Sequence, residues 1–85
     1  MADSGVITLT LYSRTWCHLC HDMLTGLQIL RVRQPFELNI VDVDSQPALE
    51  QRFGEFVPVL IHGERELCHY HLDTAAVTDY LRNFR

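Results

Sequence analysis

The sequence predicts an α/β domain over residues 1–85, in the order β-α-β-α-β-β-α, with a mixed four-stranded sheet flanked by helices. Three observations predict it. The apolar run Val6–Tyr12 feeds into a stretch with helical spacing and then into a second β-rich run. Such a strand–helix–strand unit supports a parallel pair. Val57–Ile61 is apolar throughout, as expected of a strand covered on both faces. His62-Gly63-Glu64-Arg65 then reads as a tight turn into Glu66–His69, which supports an antiparallel hairpin.

Each element has its own signal. Val6, Leu9 and Leu11, interleaved with Thr8, Thr10 and Tyr12, mark the first strand. From Cys17 to Val32, Leu19, Met23, Leu27 and Leu30 recur on one helical face. Gly26 weakens that helix by about 1 kcal/mol relative to Ala, and Pro35 closes it. Phe36–Val41 is the second strand. Asp44 and Ser45 are expected to cap a short helix, with Pro47 in its first turn, Leu49 and Phe53 on its apolar side and Gly54 at its end. Asp73 caps the last helix, where Leu72 and Val77 can form a hydrophobic staple. Ala76, Val77, Tyr80, Leu81 and Phe84 form its expected buried stripe.

A chain of 85 residues is near the size at which one hydrophobic core suffices. The net charge of −4, with seven scattered basic residues that are all Arg, argues against a nucleic-acid surface. Val6–Tyr12 is too short to span a bilayer. No secretory signal is visible, so a cytoplasmic location is expected. The 3 cysteines do not make an even set of the kind that staples secreted scaffolds.

Cys17-His18-Leu19-Cys20 is the most informative motif. Thiols at i and i+3, at a strand-to-helix junction, can close a small disulfide ring and open it again. The first sits where a helix start favours negative charge. That position lowers a thiol pKa from about 8.5 towards about 7 or below, so Cys17 is the candidate nucleophile. His18 and Arg14 are candidate cations that would assist it. Cys20, one turn into the helix, is the candidate resolving thiol. Other readings of the spacing stay open. Both cysteines could be buried and structural. Cys17–His21 also satisfies C-x-x-C-H, the pattern of c-type haem attachment, although haem attachment belongs to exported proteins. Cys17, Cys20 and His21, with Cys68, His69 or His71 as a fourth ligand, could hold zinc. No metal is assigned.

The run Tyr12-Ser13-Arg14-Thr15-Trp16-Cys17-His18-Leu19-Cys20 resembles the glutaredoxin pattern Y-S-K-x-x-C-P-Y-C. Phe56-Val57-Pro58-Val59-Leu60-Ile61-His62-Gly63 is similar to T-V-P-x-V-F-I-N-G. The two motifs stand in register, and the likeness covers nearly the whole chain. It implies the thioredoxin fold and thiol–disulfide oxidoreductase activity in cell redox homeostasis. His18-Leu19 replaces Pro-Tyr, Phe56 replaces Thr, and Arg14 stands at the Lys position. Cys68-His69-Tyr70-His71 occupies the place of a Gly-Gly pair that approaches the glutathione backbone. These departures resemble the small glutaredoxin-like family with C-H-L-C, long catalogued as a domain of unknown function.

The resemblance further implies a cis Pro58 facing the cysteines, with Val57 backbone pairing to an extended substrate. Arg14, Val57 and Pro58 are thus the expected substrate-binding residues. No cofactor is expected beyond the redox disulfide, and without Gly-Gly glutathione is a poor candidate donor. That loss also disfavours an iron–sulfur cluster shared across a dimer. The expected partners of this monomer are a protein disulfide or small thiol, with a thioredoxin-type reductant. The alternative is a non-catalytic module on the same fold, binding zinc, iron–sulfur or another protein. Cys68 is expected to be a small buried hydrophobe. His62, His69 and His71 should lie on loops or the surface. Trp16 either flanks the substrate groove or packs in the core.

Overall fold

The computed structural model describes residues 6–84; the ends of the expected domain, residues 1–5 and Arg85, lie outside them. Along the chain come β1 (Thr8–Ser13), α1 (His18–Arg33), β2 (Glu37–Asp42), a single 3-10 turn (Val43–Ser45) and α2 (Pro47–Phe53). They are followed by β3 (Val59–His62), β4 (Arg65–His69) and α3 (Thr74–Asn83). This is the expected order. The sheet runs β2-β1-β3-β4. β1 and β2 are parallel, from Thr8 opposite Glu37 to Ser13 opposite Asp42. β3 lies antiparallel to both β1 and β4, with an irregular register at Leu60–Ile61. Gly63, at φ +64°, supplies the left-handed backbone of the β3–β4 turn.

Pairing Tyr12 with Val59 has a functional consequence. It brings the end of β1, which leads to Cys17, to the same end of the sheet as the start of β3, which follows Pro58.

The sheet buries one apolar layer on each face. Leu9 and Leu11 of β1 and Leu60 of β3 meet Met23, Leu27 and Leu30 of α1, Val77 of α3 and Phe36. Val59 and Ile61, pointing the other way by strand alternation, meet Val43 and Phe53. Two-sided burial is thus why Val57–Ile61 carries no polar residue. Ring stacking of Tyr12 on Phe53, with centroids 4.1 Å apart, ties α2 to β1.

Several local expectations shift. β1 starts at Thr8, where its pairing with Glu37 begins, and Val6 is exposed. On α1, Cys20 takes the buried place expected for Leu19, beside Met23, Leu27 and Leu30. Gly26 has a packing reason: a Cβ there would stand 2.7 Å from Leu72 Cδ2. Asp44 and Ser45 do not cap α2. Asp42 accepts the Asp44 N–H at 2.9 Å and caps the 3-10 turn instead. Gln46 holds the α2 N-cap without a side-chain bond, and Pro47 opens the helix. On α3 only Val77 is buried; Tyr80 and Leu81 are half-buried, while Ala76 and Phe84 face solvent. A helix that packs on one side of a small sheet covers a narrower stripe than its sequence offers.

Asp73 caps α3 as expected, accepting the Ala76 N–H at 3.0 Å. Asp73→Ala should therefore cost about 1 kcal/mol. Urea unfolding checks this as a lower midpoint at unchanged slope.

Candidate active site at the Cys17–Cys20 pair

Chain direction places both cysteines. β1 delivers the backbone to Cys17, whose extended conformation (φ −136°, ψ 107°) makes it the N-cap of α1. Its sulfur accepts the Cys20 N–H at 3.1 Å, taking up one of the orphan donors at a helix start. Cys17 and Cys20 form a disulfide, with Cα atoms 5.1 Å apart. Cys17 is half-exposed and Cys20 only 3% exposed. The sulfur that meets solvent is thus the one facing the helix N–H groups. The first turn of α1 carries no acidic side chain to oppose a thiolate there.

Beside Cys17, the Thr15, Trp16, His18 and His21 side chains line a shallow pocket of about 300 Å³. Trp16 is 91% exposed. That settles its place: it flanks this pocket and does not pack in the core. The Val57–Pro58 bond is cis, as the motif implies. Pro58 is buried and its carbonyl accepts the Tyr70 N–H at 2.9 Å. Among the described residues, the Val57 backbone takes part in no such loop bond.

Arg14 is not the free cation its position suggested. Its Nε and Nη2 donate to the two Asp44 oxygens at 3.1 and 3.2 Å, and Nη2 also donates to Glu50 at 3.1 Å. Nη1 donates to the Gly54 carbonyl at 3.3 Å. The Asp44 hydrogen bond, above all, raises the guanidinium pKa above its ordinary value. The residue clamps the β1–α1 connection to the 3-10 turn and to α2. Asp44 and Glu50 went unnoticed as site residues in the sequence, where Asp44 was read as a cap. No local feature of the sequence signals them, because they lie 30 and 36 positions from Arg14.

The region expected to hold no Gly-Gly is filled by side chains. Tyr70 adopts a left-handed backbone (φ 65°), and its hydroxyl donates to the Glu55 carbonyl at 2.9 Å. His69 contacts the Phe56 and Tyr70 rings edge-on and bonds Glu66 at 2.6 Å. The β4–α3 loop is thereby strapped to the segment before Pro58.

Cys68 is free, half-buried and packed against the main core. Burial pushes its thiol pKa up, against a lowering hydrogen bond from the Asp73 backbone. It fits the role of a small hydrophobe. His71 is exposed, but His62 is not a loop residue. It ends β3 half-buried, 2.6 Å from the Tyr80 hydroxyl and edge-on to Phe84. The zinc set that the sequence permits does not assemble: among the described residues, no three His, Cys, Asp or Glu side chains gather as a metal-holding group.

Three comparisons bear on this geometry. The glutaredoxin-like domain family (DUF836) matches residues 8–82. No curated protein matches the chain. A Nitrosomonas europaea protein, solved in solution, is 37% identical over 86% of this chain and 88% of its own, with a TM-score of 0.76. An X. campestris protein is 33% identical over 91% of this chain and 99% of its own, with a TM-score of 0.67. The glutaredoxin of Brucella melitensis, at 23% identity, shares the fold: 91% of this chain superposes on 84% of it with a TM-score of 0.58. With its cysteine pair at the N-terminus of α1, a cis-proline at the same end of the sheet and the thioredoxin-fold sheet order, this chain belongs to the glutaredoxin-like domain family.

Proposed function

We propose that the chain is a thiol–disulfide oxidoreductase. The carrying observation is the asymmetry of the pair: Cys17 half-exposed at the helix N-cap, Cys20 buried behind it. In the reduced protein the Cys17 thiolate attacks a substrate disulfide R–S–S–R′. A Cys17–S–S–R bond forms and R′S⁻ leaves. The Cys20 thiolate then attacks the Cys17 sulfur, releases RS⁻ and closes the Cys17–Cys20 disulfide. Two electrons pass to the substrate, and an external dithiol returns them.

In this reading an extended polypeptide substrate pairs with the Val57 backbone beside Pro58, and Trp16 lines the pocket next to Cys17. The partners are then protein disulfides and a thioredoxin-type donor, with the protein acting as a cytoplasmic monomer that needs no cofactor beyond its own disulfide. Support for a poor role of glutathione comes from the filled β4–α3 loop and from the engaged Arg14.

The test is turnover of a protein disulfide such as that of insulin, coupled in turn to a thioredoxin system and to a glutathione system, with a chelator present. The expected result is turnover with the thioredoxin system, little with glutathione, and no shift in melting with the chelator. Absence of turnover with either system, together with unfolding on chelation, would transfer the protein to the metal-module reading.

A further inference from the structure

A guanidinium has five N–H donors. The four bonds that Arg14 makes to Asp44, Glu50 and Gly54 leave a single Nη1 hydrogen. An incoming carboxylate can therefore not be received bidentately unless a resident one leaves. Charge tells the same story. Two carboxylates against one guanidinium leave this cluster net negative. Asp42, whose carboxylate holds the Asp44 N–H, adds to it. Asp42 and Arg14 line, with Cys20, His21 and Ile40, an open groove of about 310 Å³ beside the cysteine pair. Cys17, the sulfur open to attack, lines the adjoining pocket, which shares Thr15 and His21 with this groove, so a small molecule that approaches Cys17 from the groove side passes a surplus of negative charge.

We propose that Asp44 and Glu50 set the thiol specificity of the Cys17–Cys20 site. By withholding the Arg14 guanidinium they make thiols that bear carboxylates poor reductants of the disulfide and leave neutral or cationic thiols as better ones. This rests on the redox function proposed above and names the class of thiol that the site accepts. The step is thiolate attack by RS⁻ on the Cys17 sulfur, giving Cys17–S–S–R and the Cys20 thiolate. A second RS⁻ attacks the R sulfur, releasing RSSR and the Cys17 thiolate. Two thiols are oxidised and one disulfide is reduced.

Reduction can be followed through Trp16, the chain's single tryptophan, which shares a pocket with Cys17. The probes are glutathione (net anionic), 2-mercaptoethanol (neutral) and cysteamine (cationic), with rates compared per thiolate at low and high salt. In the wild-type protein cysteamine is expected to be fastest and glutathione slowest, with the spread collapsing at high salt. In Asp44→Asn/Glu50→Gln the ratio of glutathione to 2-mercaptoethanol rates should rise about two- to fivefold, the order of one exposed charge pair. Adding Arg14→Gln should remove that gain.

An unchanged ratio in the double variant overturns the proposal, as does a wild-type glutathione rate equal to that of cysteamine. Should the double variant fail to fold, the wild-type charge series and its salt dependence still decide. Failure of every thiol, dithiothreitol included, to open the disulfide overturns the redox function itself, and this inference with it.

Discussion

Cys17→Ser abolishes disulfide reduction, and Cys20→Ser turns the protein into a trap that accumulates mixed disulfides. These are the expected results, and they differ because the two sulfurs differ in surroundings. Cys17 is half-exposed and accepts a helix N–H, so it is the sulfur that can reach a substrate and hold negative charge before it does. Removing it leaves Cys20, which is 3% exposed and packed on the core side of α1. The loss of rate should therefore be complete within assay error. Removing Cys20 leaves the attack intact but deletes the partner thiol that is placed to displace the product. Mass spectrometry of Cys20→Ser incubated with a disulfide should show one adduct per chain, on Cys17. Adducts on Cys17→Ser, carried by Cys20, would reverse the two roles.

Leu60→Ala is expected to cost about 2–5 kcal/mol, a large part of the whole stability of a domain this small. Leu60 sits on β3, an interior strand of the sheet, and has no exposed surface. It packs into the layer formed by β1, α1 and α3, where several elements must move together to fill the void. The melting temperature should fall by about 10–30 °C. Calorimetry alongside urea unfolding checks this, and a loss below 1 kcal/mol would mean the layer collapses around the deletion. The same residue lies just beyond Pro58, so a variant that still folds should also reduce disulfides more slowly.

Much of this protein was legible from its residues alone. Hydrophobic period marks each helix and strand, because burial on one face or on two leaves its signature in neighbouring positions: Leu9 and Leu11 alternate, Met23, Leu27 and Leu30 recur, and Val57–Ile61 runs unbroken. The pair Cys17 and Cys20 and the cis Val57–Pro58 bond were likewise visible, the first from its place before a helix and the second from its motif.

Tertiary structure decided what depends on partners far along the chain. Arg14 reads as a free cation until the sheet order brings Asp44 and Glu50, 30 and 36 positions away, against it. Trp16 suited both core and groove by its sequence, and in the fold it is 91% exposed beside Cys17. Tyr70 gives no local sign of its left-handed backbone; the Pro58 and Glu55 carbonyls that hold it there belong to another segment. Periodicity reports which face of an element avoids water. It carries no record of which charge or hydroxyl waits across the fold, as the carboxylates on Arg14 and the carbonyl that receives the Tyr70 hydroxyl show.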